Sequence, residues 1–178
     1  MTTFNMSAFA SALAAANTSD INPAPRGLQP MTLVGIGSPT LSAKSQRDNQ
    51  QDPSKPLRYR ITLTFQNNDG ETAYYYVSAD TPTMDPNEDN AVQYTTPVNL
   101  RNFLRFMGMK PTDFDVNEIT AEVAKAQPRT LEEFQSLFRD EIRDYLATFE
   151  GIKVVANVVN GSGNYADRTN VDKWSLVK

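Results

Sequence analysis

The chain has 178 residues and a formal net charge of −4, and it contains neither cysteine nor histidine. Its length suits one domain with an ordinary hydrophobic core. Disulfides, thiolate nucleophiles, Ser–His relays and zinc sites built on Cys or His are excluded. Only carboxylate, lysine or tyrosine chemistry is left for an enzyme, and no carboxylate pair stands out. We therefore expect a protein that is not an enzyme and that uses no cofactor and no metal.

The charges are unevenly distributed along the chain. Residues 1–60 carry six Lys and Arg against three acidic residues, whereas residues 61–125 carry four against ten. A protein that is acidic overall can therefore still present a basic groove. No stretch of the sequence has transmembrane length, and the first 17 residues lack the basic start of a signal peptide. We expect no membrane partner and a cytoplasmic protein, in the host cytoplasm if viral, or a virion component.

The first 30 residues predict a helical arm and a linker. Residues 7–16 are rich in alanine, which favours helix, and Phe9 and Leu13 form a thin apolar stripe. Prolines at 23, 25 and 30 mark the linker that follows. A helix this short is only marginally stable unless it packs against another surface. We therefore expect residues 1–20 to dock on a partner. The partner is its own domain, another copy in a homo-oligomer, or another protein.

The central element of the sequence is a hairpin from Leu57 to Ala79. Its first arm, Leu57–Phe65, alternates apolar and polar residues without a break, as a half-buried strand does. The hairpin can turn through two residues, Asp69-Gly70, or through a three-residue loop, 68–70. The two turns differ by one residue in register, so each buries the residues that the other leaves exposed. We favour the three-residue loop, because it puts Gly70 at the left-handed position and buries Ala73, Tyr75 and Val77.

That register gives the hairpin an outer face of two arginines, two threonines and two tyrosines. Residues whose numbers sum to 138 oppose one another, so Thr64 faces Tyr74, and Thr62 faces Tyr76. Arginines beside exposed aromatic rings are the functional lead of the sequence. The remaining members of this face are Arg58 and Arg60.

A first strand, Met31–Ile36, and a long polar segment, Ser38–Pro56, precede the hairpin. The segment carries Lys44, Arg47 and Lys55. A segment this long is either a disordered connector or a binding loop, and the sequence does not separate the two.

After the irregular stretch 80–96, residues 97–148 predict a helical insert. Pro97 opens a helix that Gly108 ends, a weaker helix covers 112–126, and a capping box at Thr130 starts a third. Residues 113–117 resemble the opening of a calcium loop, but Glu118 and Ala124 replace its glycine and glutamate. We predict no metal there.

The chain then predicts a strand at Ile152–Val159, a glycine-rich loop and a last strand at Val171–Val177. Tyr165 and Arg168 lie in the loop. Five strands with helices between the third and fourth is the order of an OB-fold. We predict a mainly β protein with α-helices: an OB-like five-stranded Greek-key barrel over residues 31–178, with the helical insert between strands 3 and 4.

The sequence resembles the small single-stranded-DNA-binding proteins of tailed phages. The resemblance rests on Leu57–Phe65, Leu100–Gly108 and Phe149–Asn157 followed by Trp174, and it covers about two-thirds of the chain. It implies an OB-fold and a role in phage DNA replication. Such proteins often end in an acidic tail that recruits partners, whereas this sequence ends in Ser-Leu-Val-Lys. The N-terminal helix is then the expected source of partner contacts.

The leading hypothesis is a protein that binds single-stranded DNA without sequence specificity, by stacking on tyrosines and by Arg and Lys contacts to phosphate. The alternative is a virion structural or assembly protein, a capsid or tail component, that exchanges its N-terminal arm. The predicted DNA-binding residues are Lys44, Arg47, Lys55, Arg58, Arg60, Tyr74, Tyr76, Tyr165 and Arg168.

Overall fold

The computed structural model describes residues 22–52, 55–84 and 92–178, so the predicted helix at 7–16 lies outside the described residues. The strands are β1 (Gly27–Ile36), β2 (Thr40–Leu41), β3 (Arg58–Gln66), β4 (Thr72–Asp80), β5 (Thr83–Met84), β6 (Val92–Gln93), β7 (Lys153–Asn160) and β8 (Thr169–Leu176). The α-helices are α1 (Ala43–Gln51), α2 (Val98–Phe106), α3 (Val116–Lys125) and α4 (Leu131–Ala147). Two 3-10 turns occupy Pro111–Asp113 and Gly163–Tyr165.

Five of the strands close into a barrel. Their order is β1-β7-β8-β4-β3, and β3 pairs back onto β1. All neighbours are antiparallel except β4 and β8, which run parallel. The result is a closed mixed barrel, to which the described residues add four helices, and it is compatible with the predicted OB-fold.

The barrel interior is filled by the alternate residues of each strand, as the sequence pattern predicts. Helix α4 packs on β1 and β4, and α2 packs on β4 and β8. The fully buried large side chains are Leu33, Ile61, Leu63, Phe65 and Val77 from the strands and Leu100, Phe103, Leu104, Val123, Phe138, Ile142 and Leu146 from the helices.

The first strand is longer than the predicted Met31–Ile36. It begins at Gly27 and passes through Pro30, whose register partner is Val155 on β7. Proline lacks the N–H of a ladder donor, which is why the sequence suggested a boundary there. Its fixed φ is nevertheless compatible with extended backbone, and pairing with β7 on both sides holds the strand together.

The polar segment before the hairpin contains regular structure that the sequence did not predict. Short β2 pairs with β3, and Ser42 caps α1 through its side chain. The Ser45 hydroxyl accepts from the Arg58 N–H at 3.0 Å and also lies 3.1 Å from the Arg58 carbonyl. No residue of α1 is buried. The helix therefore leaves no apolar period in the sequence and is held by polar contacts instead.

Three helices, α2, α3 and α4, lie within the range 97–148, and α3 begins at Val116, four residues later than expected. The Asp115 carboxylate caps it by accepting from the N–H groups of Asn117 and Glu118, and Asp113 accepts from the N–H of Lys110. The carboxylates that resemble a calcium loop are thus used for capping. Among the described residues, no group of three or more His, Cys, Asp or Glu is arranged to hold a metal ion.

The stretch 80–96 was predicted to be irregular, but β5 and β6 pair there as a second, two-stranded sheet. Residues 85–91 between them lie outside the described part of the chain. None of the helices found within the described ranges is both long enough and apolar enough to span a membrane.

The three-residue hairpin loop is confirmed. Thr64 pairs with Tyr74 and Thr62 with Tyr76, and Gly70 has φ +80°. The loop is held by Asn67, whose Oδ1 accepts from the N–H groups of Asp69 and Glu71 at 3.1 and 2.9 Å. Its Nδ2 donates to Gln29 Oε1 at 3.0 Å and to Glu71 Oε2 at 2.7 Å. One side chain therefore fixes the register on which the outer face depends.

We expect Asn67→Ala to lower the free energy of unfolding by about 1–3 kcal/mol, because two loop N–H groups and two side-chain acceptors lose their partner. Urea denaturation followed by circular dichroism measures the loss. Asn68→Ala, at the exposed neighbouring position, is the control and should change stability by less than about 0.5 kcal/mol. Equal stabilities of the two variants would contradict this role of Asn67.

Candidate functional site

The outer face of the β3–β4 hairpin holds the polar residues that the alternation predicts. Arg60, Thr62 and Thr64 on β3 lie on the side opposite to the fully buried Ile61 and Leu63. Their neighbours on β4 are half-buried Tyr74 and Tyr76. The half-burial holds these rings against the barrel while leaving part of their surface to solvent.

Each of the two outward tyrosines has an arginine guanidinium group over its ring. The Arg60 guanidinium carbon lies 4.7 Å from the centroid of the Tyr76 ring, and that of Arg168 lies 5.6 Å from the centroid of Tyr74. Both distances are within the range of cation–π attraction. The result is a row of two guanidinium–ring pairs, which we call the Arg–Tyr face: Arg60, Tyr76, Tyr74 and Arg168.

Arg168 reaches this face because the last loop folds back on the barrel. The Gly161 N–H donates to the Arg168 carbonyl at 2.8 Å, which closes the loop. The next residue, Thr169, donates its hydroxyl to the Thr72 carbonyl at 3.2 Å, and Asn170 is the parallel partner of Tyr74. These contacts join two segments that are about a hundred residues apart in sequence.

Arg58 lies on the same face but has a different environment. Its Nε and Nη2 donate to the two carboxylate oxygens of Asp80 at 2.7 and 2.8 Å, in a bidentate pair. The Asp80 side chain is only 10% exposed, whereas that of Arg58 is 55% exposed. The hydrogen bonds to Asp80 raise the pKa of Arg58 above its ordinary value. Its assignment to DNA binding stays a prediction, but its charge already neutralises a buried carboxylate.

We expect Arg58→Gln to lower the free energy of unfolding by about 1–3 kcal/mol, because it leaves a largely buried carboxylate without its bidentate donor. Urea denaturation of Arg58→Gln and of Lys125→Gln makes the comparison. Lys125 pairs with Glu122 on the surface of α3, where both side chains are exposed, so its replacement should cost less than about 1 kcal/mol. A loss for Arg58→Gln no larger than that for Lys125→Gln would contradict the structural role of Arg58.

The predicted loop residues are divided between two places. Lys44, Lys55 and Arg58 line a cleft of about 210 Å³ between α1 and β3, together with Asp48. Arg47 is exposed three residues after Lys44 on α1, which puts the two on neighbouring positions of the helix surface. Arg58 lines this basic cleft and lies two residues before Arg60 on β3, so the cleft adjoins the Arg–Tyr face.

Tyr165 is the one predicted site residue whose side chain lies outside the described part of the structure. Its backbone belongs to the 3-10 turn Gly163–Tyr165, three residues before Arg168. Its predicted contact with DNA stays a prediction.

Sequence analysis missed a groove beside the Arg–Tyr face. It has a volume of about 380 Å³ and is lined by Tyr74, Tyr75, Tyr76, Asn99, Asn102 and Asp172, among others. These residues come from β4, α2 and β8, so no local pattern in the sequence connects them. Only the strand order of the barrel brings them together.

Tyr75 lies at this groove and packs half-buried against the core, whereas the sequence predicted a buried ring. Its ring meets that of Trp174 edge to face at a centroid distance of 4.8 Å, and its hydroxyl donates to the Asn99 carbonyl at 3.3 Å. Burial raises the pKa of Tyr75 to about 12; the charge of Arg105 opposes this rise and that of Asp172 adds to it. The neutral hydroxyl is therefore the form that the fold requires.

We expect alkaline pH to destabilise the protein through Tyr75. An unfolded tyrosine ionises near pH 10, whereas folded Tyr75 holds its proton to about 12. The stabilisation is thus complete below about pH 10 and is lost as the pH rises towards 12. Urea denaturation between about pH 8 and about pH 11 should show a shallower decline for Tyr75→Phe than for the unmodified chain. An identical decline would contradict the assignment.

The chain was compared with protein families, with curated proteins and with solved structures, and no match was found in any of the three. The function is therefore argued from the residues of the site.

Proposed function

We propose that the protein binds single-stranded DNA on the Arg–Tyr face, as an OB-like barrel with no sequence requirement for binding. The observation that carries the proposal is the pairing of two outward tyrosines with two guanidinium groups, Arg60 on Tyr76 and Arg168 on Tyr74. Single-strand binding needs ring faces for bases beside fixed positive charge for phosphates. This row supplies both within one hairpin and the loop that closes on it.

The dimensions of the face support a single strand as its ligand. From Arg60 to Thr64 the strand rises about 14 Å at about 3.4 Å per residue, which accommodates a few nucleotides. A guanidinium group on a ring also offers its own plane for stacking, as arginines do with unpaired bases. Duplex DNA keeps its bases stacked on each other, so the rings would have no role in binding it.

The position of the Arg–Tyr face in the barrel supports the proposal. With β1, β3, β4, β7 and β8 as the five strands in chain order, the Arg–Tyr face lies on the second and third strands and on the loop between the last two. OB-folds bind oligonucleotides on these strands and on these loops. The loop between the first two strands carries the basic cleft with Lys44 and Lys55.

The basic cleft would extend the path of the phosphate backbone. Lys44, Lys55 and exposed Arg47 lie beyond Arg58 at the start of β3. Together with Arg60 at Tyr76 and Arg168 at Tyr74, these side chains put positive charge on both sides of the pair of tyrosines. The proposal agrees with the resemblance of the sequence to phage single-stranded-DNA-binding proteins and with a role in phage DNA replication in the host cytoplasm.

The test is a fluorescence titration of labelled oligonucleotides with the full chain. We expect binding to single strands in preference to duplex of the same length, and an affinity that falls with salt by a slope of about −0.7 per phosphate contact. Tyr74→Ala and Tyr76→Ala should each weaken binding by about 1–3 kcal/mol with the fold intact. Tyr75→Ala should chiefly lower the melting temperature, because that ring packs against Trp174.

Charge variants separate phosphate contact from net charge. Arg60→Gln should reduce the salt slope, whereas Lys125→Gln, which removes the same charge from exposed α3, should leave the slope unchanged. Equal slopes for the two variants would show that Arg60 makes no phosphate contact. Absence of single-strand binding at about 10 µM protein and low salt would overturn the proposal and put the virion-assembly hypothesis first.

A further inference from the structure

The groove beside the Arg–Tyr face results from the way the barrel closes. The parallel strands β4 and β8 pair at one register position, Tyr74 opposite Asn170. Tyr74 and Asn170 both line the groove, and α2 contributes Asn99 and Asn102 to its lining. The groove therefore opens alongside both tyrosines of the proposed binding face, and a base bound against Tyr74 has direct access to it.

The polar groups of the groove suit a base better than a phosphate. No lysine or arginine is among its lining residues, and one carboxylate, Asp172, is. Asp172 is exposed and makes no ion pair within the described ranges. An isolated carboxylate repels phosphate and accepts hydrogen bonds from N–H groups.

From this geometry we infer that the groove is a base-recognition subsite, in which Asp172 accepts hydrogen bonds from N–H donors on the Watson–Crick edge of an unstacked base. The inference rests on the proposed function, because the base belongs to a strand held on the Arg–Tyr face. Guanine presents two adjacent N–H donors that match both carboxylate oxygens, and cytosine and adenine present an amino group. Thymine presents one N–H between two carbonyl oxygens, which the carboxylate repels.

The surroundings of Asp172 fit a flat, partly apolar ligand. Tyr74 and Val159 line the same groove, and Val159 is 36% exposed although it is a strand valine. Asn99 and Asn102 add amide donors and acceptors on the side of α2. The Tyr75 hydroxyl at this groove donates to the Asn99 carbonyl at 3.3 Å and so joins β4 to the first turn of α2.

The experiment compares base composition at constant length and salt. Labelled strands of about 15 nucleotides, one all-dT, one all-dC and one alternating dT and dG, are titrated with the full chain. We expect the dC and the dT/dG strands to bind about tenfold more tightly than dT, since a good carboxylate–base pair discriminates by about that factor. Asp172→Asn should bring the three affinities to within about twofold of one another.

The ratio between strands is the informative quantity, because removing a negative charge strengthens binding to every strand. Asp144→Asn, which removes the same charge from α4, is the control and should retain the tenfold ratio. Equal affinities of the unmodified chain for all three strands, or an unchanged ratio in Asp172→Asn, would overturn the subsite and leave the proposed function standing. Absence of binding to every strand would overturn the proposed function and the subsite with it.

Discussion

The junction between β4 and β8 is the contact on which the closed barrel depends. It is the one parallel junction of the five, and its single register pair joins Tyr74 to Asn170. The ring of Trp174 compensates for this short pairing. It packs against Phe65 at a centroid distance of 5.2 Å and against Phe106 at 4.6 Å, and so ties β8 to β3 and α2. Aromatic packing thus stabilises a strand junction that has only one register pair.

The same junction also sets the geometry of the Arg–Tyr face. Tyr74 pairs with Asn170 of β8, and its ring also lies under the Arg168 guanidinium. The strand pair that closes the barrel therefore also positions one half of the Arg–Tyr face. Six acidic residues lie away from this face and line a cleft between α3 and α4: Asp113, Asp115, Glu118, Glu122, Glu141 and Asp144. A net charge of −4 is therefore compatible with a locally basic face.

The parts of the structure with a local period could be predicted from the sequence. The alternation of Leu57–Phe65 and the left-handed preference of Gly70 gave the hairpin and its register, because both signals lie within a few residues of each other. Helix α1 could not be predicted in this way, since it buries no residue and depends on Ser42 and Ser45. The groove could not be predicted either, because its lining comes from strands and a helix that only the barrel brings together.

Arg58 and Arg60 show why residue type and spacing do not determine a role. Both point outward from β3, two residues apart, and the sequence pattern predicts the same function for both. Their cross-strand partners differ: Asp80 is opposite Arg58, and Ser78 is opposite Arg60. The bidentate pair with a buried carboxylate makes Arg58 part of the fold. Arg60, opposite a neutral residue, lies instead over the Tyr76 ring. A single cross-strand register thus gives two identical side chains different partners.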